Sequence, residues 1–385
     1  MSYTDRMESA LFELWDEFDN CDEDYSSFID ELNSKDAFRT FGDGLVSFLQ
    51  KRKPEITVET AIKYIEELCE ETGVDKSEIS SINALKGWFR EDKRPKKGED
   101  GRTKMFALAF ILQLTPDETA ELFHKVYLDR AFDYRNINEI IYYFCLQNGK
   151  SWSDAKRLIE AANSMTAQIS DHTVYTAKLK SDIDTINDEN GLLSYIVRHG
   201  HNLEKSNISA KKNFHQLLIS ANRIAKDDAA EMKYRKNGEE VIVYKDWFAG
   251  YDKNSNNFTY DVIINTSVSS KTGTTTLFNN ARLPKEIKNR FPQAGSFSKK
   301  EPTYEEMRKM IILLFSYIFW YKQQKENKRF LLDDYIAEVD CYLSDSGLPP
   351  MYYGNPYDWM FLYCALAERP LDTFRGLIAE VLSEE

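Results

Sequence analysis

The feature that most constrains the fold of this 385-residue chain is a helical pattern of apolar residues that recurs along most of its length. The clearest case is the segment Val58–Thr72. Its apolar residues recur three or four positions apart on one face: Ile62, Ile65, Leu68 and Cys69. Gly73 follows, and glycine commonly ends a helix in the left-handed conformation. The pattern predicts an amphipathic helix here and a mostly α fold overall.

A second helix is predicted within Ile79–Pro95, and it combines a polar start with a basic end. Ile82, Leu85 and Phe89 recur at the spacing that buries one helical face, so the polar residues between them should point outward. Polar side chains at a helix start suit base edges, and lysines and arginines suit phosphates. The candidate DNA-contacting residues are Ser80, Ser81, Asn83, Lys86, Arg90, Lys93, Arg94, Lys96 and Lys97.

The order of these elements resembles the lambda-repressor-like (XRE-type) helix-turn-helix family over about residues 41 to 126. The shared order is Gly-Val, a Ser-rich helix, Leu-Lys-Gly-Trp-Phe, Arg-Pro, an apolar helix and Leu-Thr-Pro-Asp-Glu. The connection Glu91–Lys104 is longer and richer in Gly and Lys than that family usually has. The resemblance implies a bundle that places the helix near Ser80–Trp88 in the major groove of double-stranded DNA, with Asn83 and Lys86 towards base edges.

The charge distribution permits DNA binding only locally. The chain has a formal net charge of −13, and residues 1 to 40 carry twelve acidic against three basic residues. Residues 86 to 104 reverse this balance, with eight basic against four acidic residues. A local positive patch can act within a screening length of roughly 8 Å at physiological salt. Long-range attraction of DNA to the whole protein is not expected.

Sequence motifs for catalysis or metal binding were not found. The chain has no GxSxG, HExxH, phosphate-loop or dinucleotide-binding pattern. Its five cysteines are scattered without a CxxC pair, which favours buried thiols in a reducing compartment. Two histidines, His199 and His201, lie two positions apart and have no tetrahedral ligand set. We therefore expect no cofactor, no metal and no catalytic residue.

The composition predicts several domains. We expect an acidic amphipathic helical segment at 1–40, a helix-turn-helix-like helical domain at 41–163, a helical region with a small antiparallel β insertion and a linker at 164–303, and a C-terminal α-helical bundle at 304–385. The β insertion is predicted from three β-branched or aromatic runs: Val241–Tyr244, Tyr260–Ile264 and Thr274–Phe278. The four helices of the last segment carry enough large apolar side chains to build a core of their own.

The expected location is the cytoplasm. Residues 1 to 20 lack the basic and apolar pattern of a signal peptide, and the apolar block Met310–Tyr321 is too short to cross roughly 30 Å of hydrocarbon. We expect no membrane partner, and either a homodimer or a protein partner, since one helix reads few base pairs. The leading hypothesis is a sequence-specific DNA-binding transcriptional regulator. Two alternatives stay open: an interaction or scaffold protein with a degenerate helix-turn-helix, and an enzyme or toxin with an unrecognised site in 164–300.

Overall fold

The protein is mostly α-helical with short antiparallel β pairs, which confirms the predicted fold class. The computed structural model describes residues 3–20, 25–33, 38–90, 93–95, 98–165, 176–203, 208–236, 239–245, 248, 252–264, 267–269, 275–277 and 302–383. Two compact units divide the chain. We call residues 39–209 the inner unit, and residues 1–38 together with 210–385 the terminal unit.

The helices are numbered in chain order. In the first half they are α1 Tyr3–Asn20, α2 Ser26–Asn33, α3 Phe41–Gln50, α4 Val58–Thr72, α5 Lys76–Ile79, α6 Ile82–Arg90, α7 Glu99–Ile111, α8 Pro116–Leu122, a π-helical segment Phe123–Tyr127, α9 Ile137–Gln147 and α10 Trp152–Asn163. The second half contains α11 Thr176–Asp184, α12 Glu189–Leu203, α13 Ile208–Asp228, α14 Asn256–Ile264, α15 Tyr304–Glu326, α16 Leu332–Asp345, α17 Pro356–Leu366 and α18 Pro370–Ser383.

Local capping fixes where helices of the inner unit begin and end. Gly73 has a φ of 69°, and the N–H of Val74 donates to the carbonyl of Cys69 at 3.1 Å, which closes α4. At the start of α10, the hydroxyl of Ser151 accepts from the N–H of Asp154, and the Asp154 carboxylate accepts from the N–H of Ser151, both at 3.1 Å. These signals are local in sequence, and the predicted end of α4 at Gly73 is confirmed.

The helices of the inner unit share one continuous apolar core. Helix α7 lies deep inside it, because Phe106, Leu108 and Ile111 are fully buried. Helix α3 crosses α6 so closely that a Cβ built on Gly42 would lie 2.5 Å from the carbonyl oxygen of Trp88. The absence of a side chain at this position therefore permits the two backbones to approach.

The terminal unit joins the first helices of the chain to its last ones. The ring of Phe28 in α2 stacks on Tyr363 at 4.0 Å and on Trp359 at 4.9 Å, both in α17. The indole N–H of Trp359 donates to the carbonyl of Met7 in α1 at 3.0 Å. The core that surrounds these residues also includes Phe214 of α13. Residues 304–383 thus share their core with segments far away in sequence, and the boundary predicted at 304 does not coincide with the boundary of a unit.

A buried arginine fixes one connection of the terminal unit. Arg308 of α15 donates to both carboxylate oxygens of Asp358, at 2.7 and 2.8 Å, and to the carbonyls of Pro349 and Pro350. This network holds the proline-containing connection between α16 and α17 against α15. A charge that is removed from water needs such full pairing to be tolerated.

The β structure differs in part from the sequence prediction. Strand β1 (Ala230–Lys236) pairs with β2 (Glu239–Tyr244), and β3 (Ser267–Ser269) pairs with β4 (Thr275–Leu277), both antiparallel. The run Tyr260–Ile264, predicted as a strand, belongs to α14, and β1 was not predicted. Residues 259 to 264 are buried all along α14, so their β-branched and aromatic character reflects burial and not strand geometry.

The cysteines and the apolar block can be placed directly. The thiols of Cys69, Cys145 and Cys364 are buried and Cys341 is exposed, all four unbridged, whereas Cys21 lies outside the described residues. The block Met310–Tyr321 lies within α15. Across the described part of the chain, no helix combines the length and the apolar character needed to cross a membrane.

Candidate nucleic-acid interface

The candidate interface is built on α6, which begins two residues later than the first predicted contact residue. The short helix α5 ends at Ile79, and the N–H of Ser80 bonds back to the carbonyl of Lys76 at 3.1 Å. Ser80 is only 9% exposed, so its side chain does not belong to an outward face. Ser81 is exposed and caps the new helix, since its hydroxyl accepts from the N–H of Ala84 at 3.3 Å.

One face of α6 points away from the inner unit. Each of its members lies three or four residues from another member, as neighbours on a helix surface do. They are Ile82, Asn83, Lys86 and Arg90, and all four are exposed. The opposite side holds Leu85, Trp88 and Phe89, which are at most 5% exposed.

The prediction that Ile82 belongs to the buried face is wrong. Its side chain is 50% exposed, because it lies in the first turn of α6 on the same side as Lys86 and Arg90. The spacing of Ile82 to Leu85 and Phe89 would also permit burial of Ile82. The buried face of α6 is instead centred on Leu85, Trp88 and Phe89, and Ile82 lies outside it. An exposed isoleucine next to a polar and basic stripe is therefore the residue that sequence reasoning missed.

The segment after α6 folds back along that helix. The N–H of Lys93 donates to the carbonyl of Gly87 at 3.0 Å, and a Cβ built on Gly87 would lie 3.4 Å from the Cβ of Lys93. Lys93 is exposed, Arg94 is half-buried and Pro95 is buried. This arrangement places Lys93 beside the outward face of α6. Lys96 and Lys97 lie outside the described residues.

The positive patch is smaller than the sequence count suggests. Arg102 is 8% exposed, and its guanidinium is bound by Glu139 at 2.7 Å and by Asp129 at 3.1 Å. Lys104 pairs with Asp100 at 2.6 Å. Both side chains are therefore engaged in ion pairs that stabilise α7 and its surroundings, and they do not add to the positive patch. On α6, Lys86 and Arg90 form no ion pair among the described residues.

One carboxylate lies near the basic end of α6. The pKa of Glu59, at the start of α4, is lowered first by a hydrogen bond from Thr57 and by its own backbone N–H, with a smaller contribution from Arg90. Glu59 therefore stays ionised at neutral pH and offsets part of the positive charge of Arg90. The strongest positive potential of the described α6 face is expected around Lys86.

The packing behind α6 holds this face in place. The ring of Phe41 in α3 meets the indole of Trp88 edge-on at 5.6 Å, and α6 contacts both α3 and α4. A helix supported from two sides by a core presents its outer side chains in a fixed orientation, which binding interfaces require.

The described residues contain no group of three or more His, Cys, Asp or Glu side chains arranged to hold a metal ion. Comparisons of the chain with protein-family profiles, curated proteins and solved structures found no match.

Proposed function

We propose that this protein is a sequence-specific DNA-binding regulator that reads the major groove with α6. The observation that carries the proposal is the outward face of α6, which combines Asn83, Lys86, Arg90 and Ile82 without an acidic side chain. Asparagine, lysine, arginine and apolar side chains are the groups that recognise base edges. The resemblance to lambda-repressor-like proteins supports the same role for this helix.

The dimensions of α6 suit this role. An α-helix with its side chains is about 10–12 Å in diameter, which fits the major groove width of about 12 Å, and α6 has nine residues. Asn83 would form two hydrogen bonds with an adenine, and Lys86 would contact a guanine. Ile82 would contact the methyl group of a thymine. Arg90 and Lys93, nearer the end of the helix, would bind phosphates, together with Arg94, Lys96 and Lys97.

A second copy of the chain is part of the proposal. One recognition helix reads few base pairs, and helix-turn-helix proteins commonly bind as dimers to half-sites about 34–36 Å apart. The proposed partners are double-stranded DNA and a second subunit, and the proposed location is the cytoplasm.

A scaffold protein with a degenerate helix-turn-helix is the second candidate. It is favoured by the net charge of −13 and by the exposure of Ile82, because apolar side chains on a fixed helix also suit protein interfaces. The two candidates differ in what α6 contacts, and DNA binding decides between them.

The test is selection of a preferred site from random DNA duplexes, followed by titration of the protein with that site and with a scrambled duplex. Asn83→Ala is expected to weaken binding to the selected site by roughly 1–3 kcal/mol, because one bidentate base contact is lost. Binding to the scrambled duplex should hardly change, since asparagine carries no charge. Asn163→Ala is the matched control, because Asn163 is exposed at the end of α10.

Two results would reject base reading by α6. The first is selection that yields no preferred sequence for the unaltered protein. The second is an Asn83→Ala variant that binds the selected site as tightly as the Asn163→Ala control. Either result would favour the scaffold function.

A further inference from the structure

A cavity of about 570 Å³ opens in the inner unit, on the side of α7 and α9. Its volume lies within the roughly 300–1,000 Å³ typical of small-molecule sites. It lies where α4, α7 and α9 end and α10 begins. The side chains that matter for the argument are Val74, Phe110, Leu114, Leu146, Lys150 and Trp152.

One part of the cavity wall is aromatic and rigid. The indole of Trp152 stacks on Tyr142 at 5.2 Å and packs against Phe110 at 5.3 Å. Trp152 is 4% exposed and Phe110 is 5% exposed, so neither ring can turn freely. Flat aromatic compounds pack well against such walls.

The charges at the cavity favour an anion. Lys150 is the one charged residue among those that line the cavity, and no carboxylate lines it. The ammonium of Lys150 is 3.0 Å from Glu189, which also pairs with Arg157 at 2.8 Å. The hydrogen bond to Glu189 raises the pKa of Lys150, so the ammonium stays charged at the cavity edge at neutral pH.

We propose that this cavity binds a small aromatic carboxylate. The ring would lie against Phe110 and Trp152, and the carboxylate would lie next to Lys150. The cavity includes Thr72 and Val74, which flank the turn between α4 and α5. Binding of such a ligand does not require α6 to bind DNA.

The test uses the full chain without DNA and 2-naphthoate as the probe, measured by isothermal titration calorimetry. The cation 2-naphthylmethylammonium has the same ring and tests the charge preference. We expect 2-naphthoate to bind at least about tenfold more tightly than the cation. Lys150→Gln should weaken 2-naphthoate binding about tenfold, since a charge-assisted contact is lost. Lys156→Gln is the matched control, because Lys156 is exposed on α10 and does not line the cavity.

A second pair of variants tests the location of the bound ligand independently of charge. Gln147→Trp places a bulky ring at the exposed edge of the cavity and should abolish 2-naphthoate binding. Ser153→Trp adds the same ring elsewhere on the surface and should leave binding unchanged. Equal affinity for both probes, equal binding by the two tryptophan variants, or no binding of 2-naphthoate at millimolar concentration would each overturn the proposal.

Discussion

Two glycines of the inner unit have opposite roles although both are buried in helices. A Cβ on Gly42 would lie 2.5 Å from the carbonyl oxygen of Trp88, a backbone atom that cannot move without shifting α6. A Cβ on Gly87 would meet only the side chain of Lys93, at 3.4 Å. The position of the outward face of α6 therefore depends on Gly42 more than on Gly87.

Gly42→Ala and Gly87→Ala are expected to change stability in opposite directions. Gly42→Ala should lower the free energy of unfolding by about 1–3 kcal/mol, because the added methyl group overpacks the α3–α6 contact. Gly87→Ala should raise it by up to about 1 kcal/mol, since alanine favours helix over glycine. Urea unfolding followed by circular dichroism measures both. Equal effects of the two changes would contradict the close approach of α3 and α6.

At the residue scale, the sequence predicted part of the outward face of α6 correctly but misplaced the boundary of the buried face. Asn83 and Lys86 are exposed as predicted, whereas Ser80 is buried and Ile82 is exposed. A spacing of three and four residues indicates that the residues share a face but does not show which of them lies at the centre of that face. That centre is fixed by Phe41 and other core residues that are distant in sequence.

At the scale of elements, the start of α10 is set by two side chains. Ser151→Ala should lower the free energy of unfolding by about 1 kcal/mol, because the cap of the helix is lost. Ser153→Ala, on the exposed surface of the same helix, should have almost no effect or a small stabilising one. Urea unfolding of both variants provides the comparison. Equal losses would show that the cap does not determine the stability of α10.

The same cap predicts a pH dependence. Hydrogen bonds from the hydroxyl and the backbone N–H of Ser151, with help from Arg157, lower the pKa of Asp154 to about 2. The unfolded value is about 3.9, so the carboxylate stabilises the fold above pH 4, and this contribution is lost as the pH falls towards 2. Because Asp154 is 38% exposed, the contribution should not exceed about 1 kcal/mol.

The check is the stability of the unaltered protein and of Asp154→Asn between pH 4 and pH 2. The unaltered protein should lose more stability than the variant over this range. In a Ser151→Ala background the difference should shrink, since the two groups act as a pair. A variant that loses as much stability as the unaltered protein would show that Asp154 does not titrate as described.

Helix caps depend on residues three positions apart in the sequence, as Ser151 with Asp154 and Thr303 with Glu306, so such pairs are recognisable locally. The secondary structure of a short apolar run cannot be recognised in the same way. Tyr260–Ile264 has the composition of a strand, but Ser255 accepts a hydrogen bond from the N–H of Phe258 and the run continues as a buried helix. Short apolar runs fit either structure, and their tertiary surroundings decide between them.

At the scale of the whole molecule, the division into units was not readable from local pattern. Helices α1 and α2 share a core with α17, more than 300 residues later in the chain, through Phe28, Trp359 and the carbonyl of Met7. Periodicity shows that each helix has an apolar face but not which other helix covers it. The inner unit is in this respect an insertion between two parts of the terminal unit.

This organisation predicts how fragments of the chain behave. Residues 39–209 should fold alone, because their core is built from side chains within that range. Residues 304–385 should not form a well-packed structure alone, because Phe28 and Phe214 would be missing from their core and the indole of Trp359 would lose its acceptor. Cooperative urea unfolding and dispersed amide signals in NMR spectra distinguish the two cases.

A third fragment, in which a glycine-serine linker replaces residues 39–209, should recover cooperative unfolding. Cooperative unfolding of residues 304–385 by themselves would contradict a core shared with the first helices and would favour a separate C-terminal bundle.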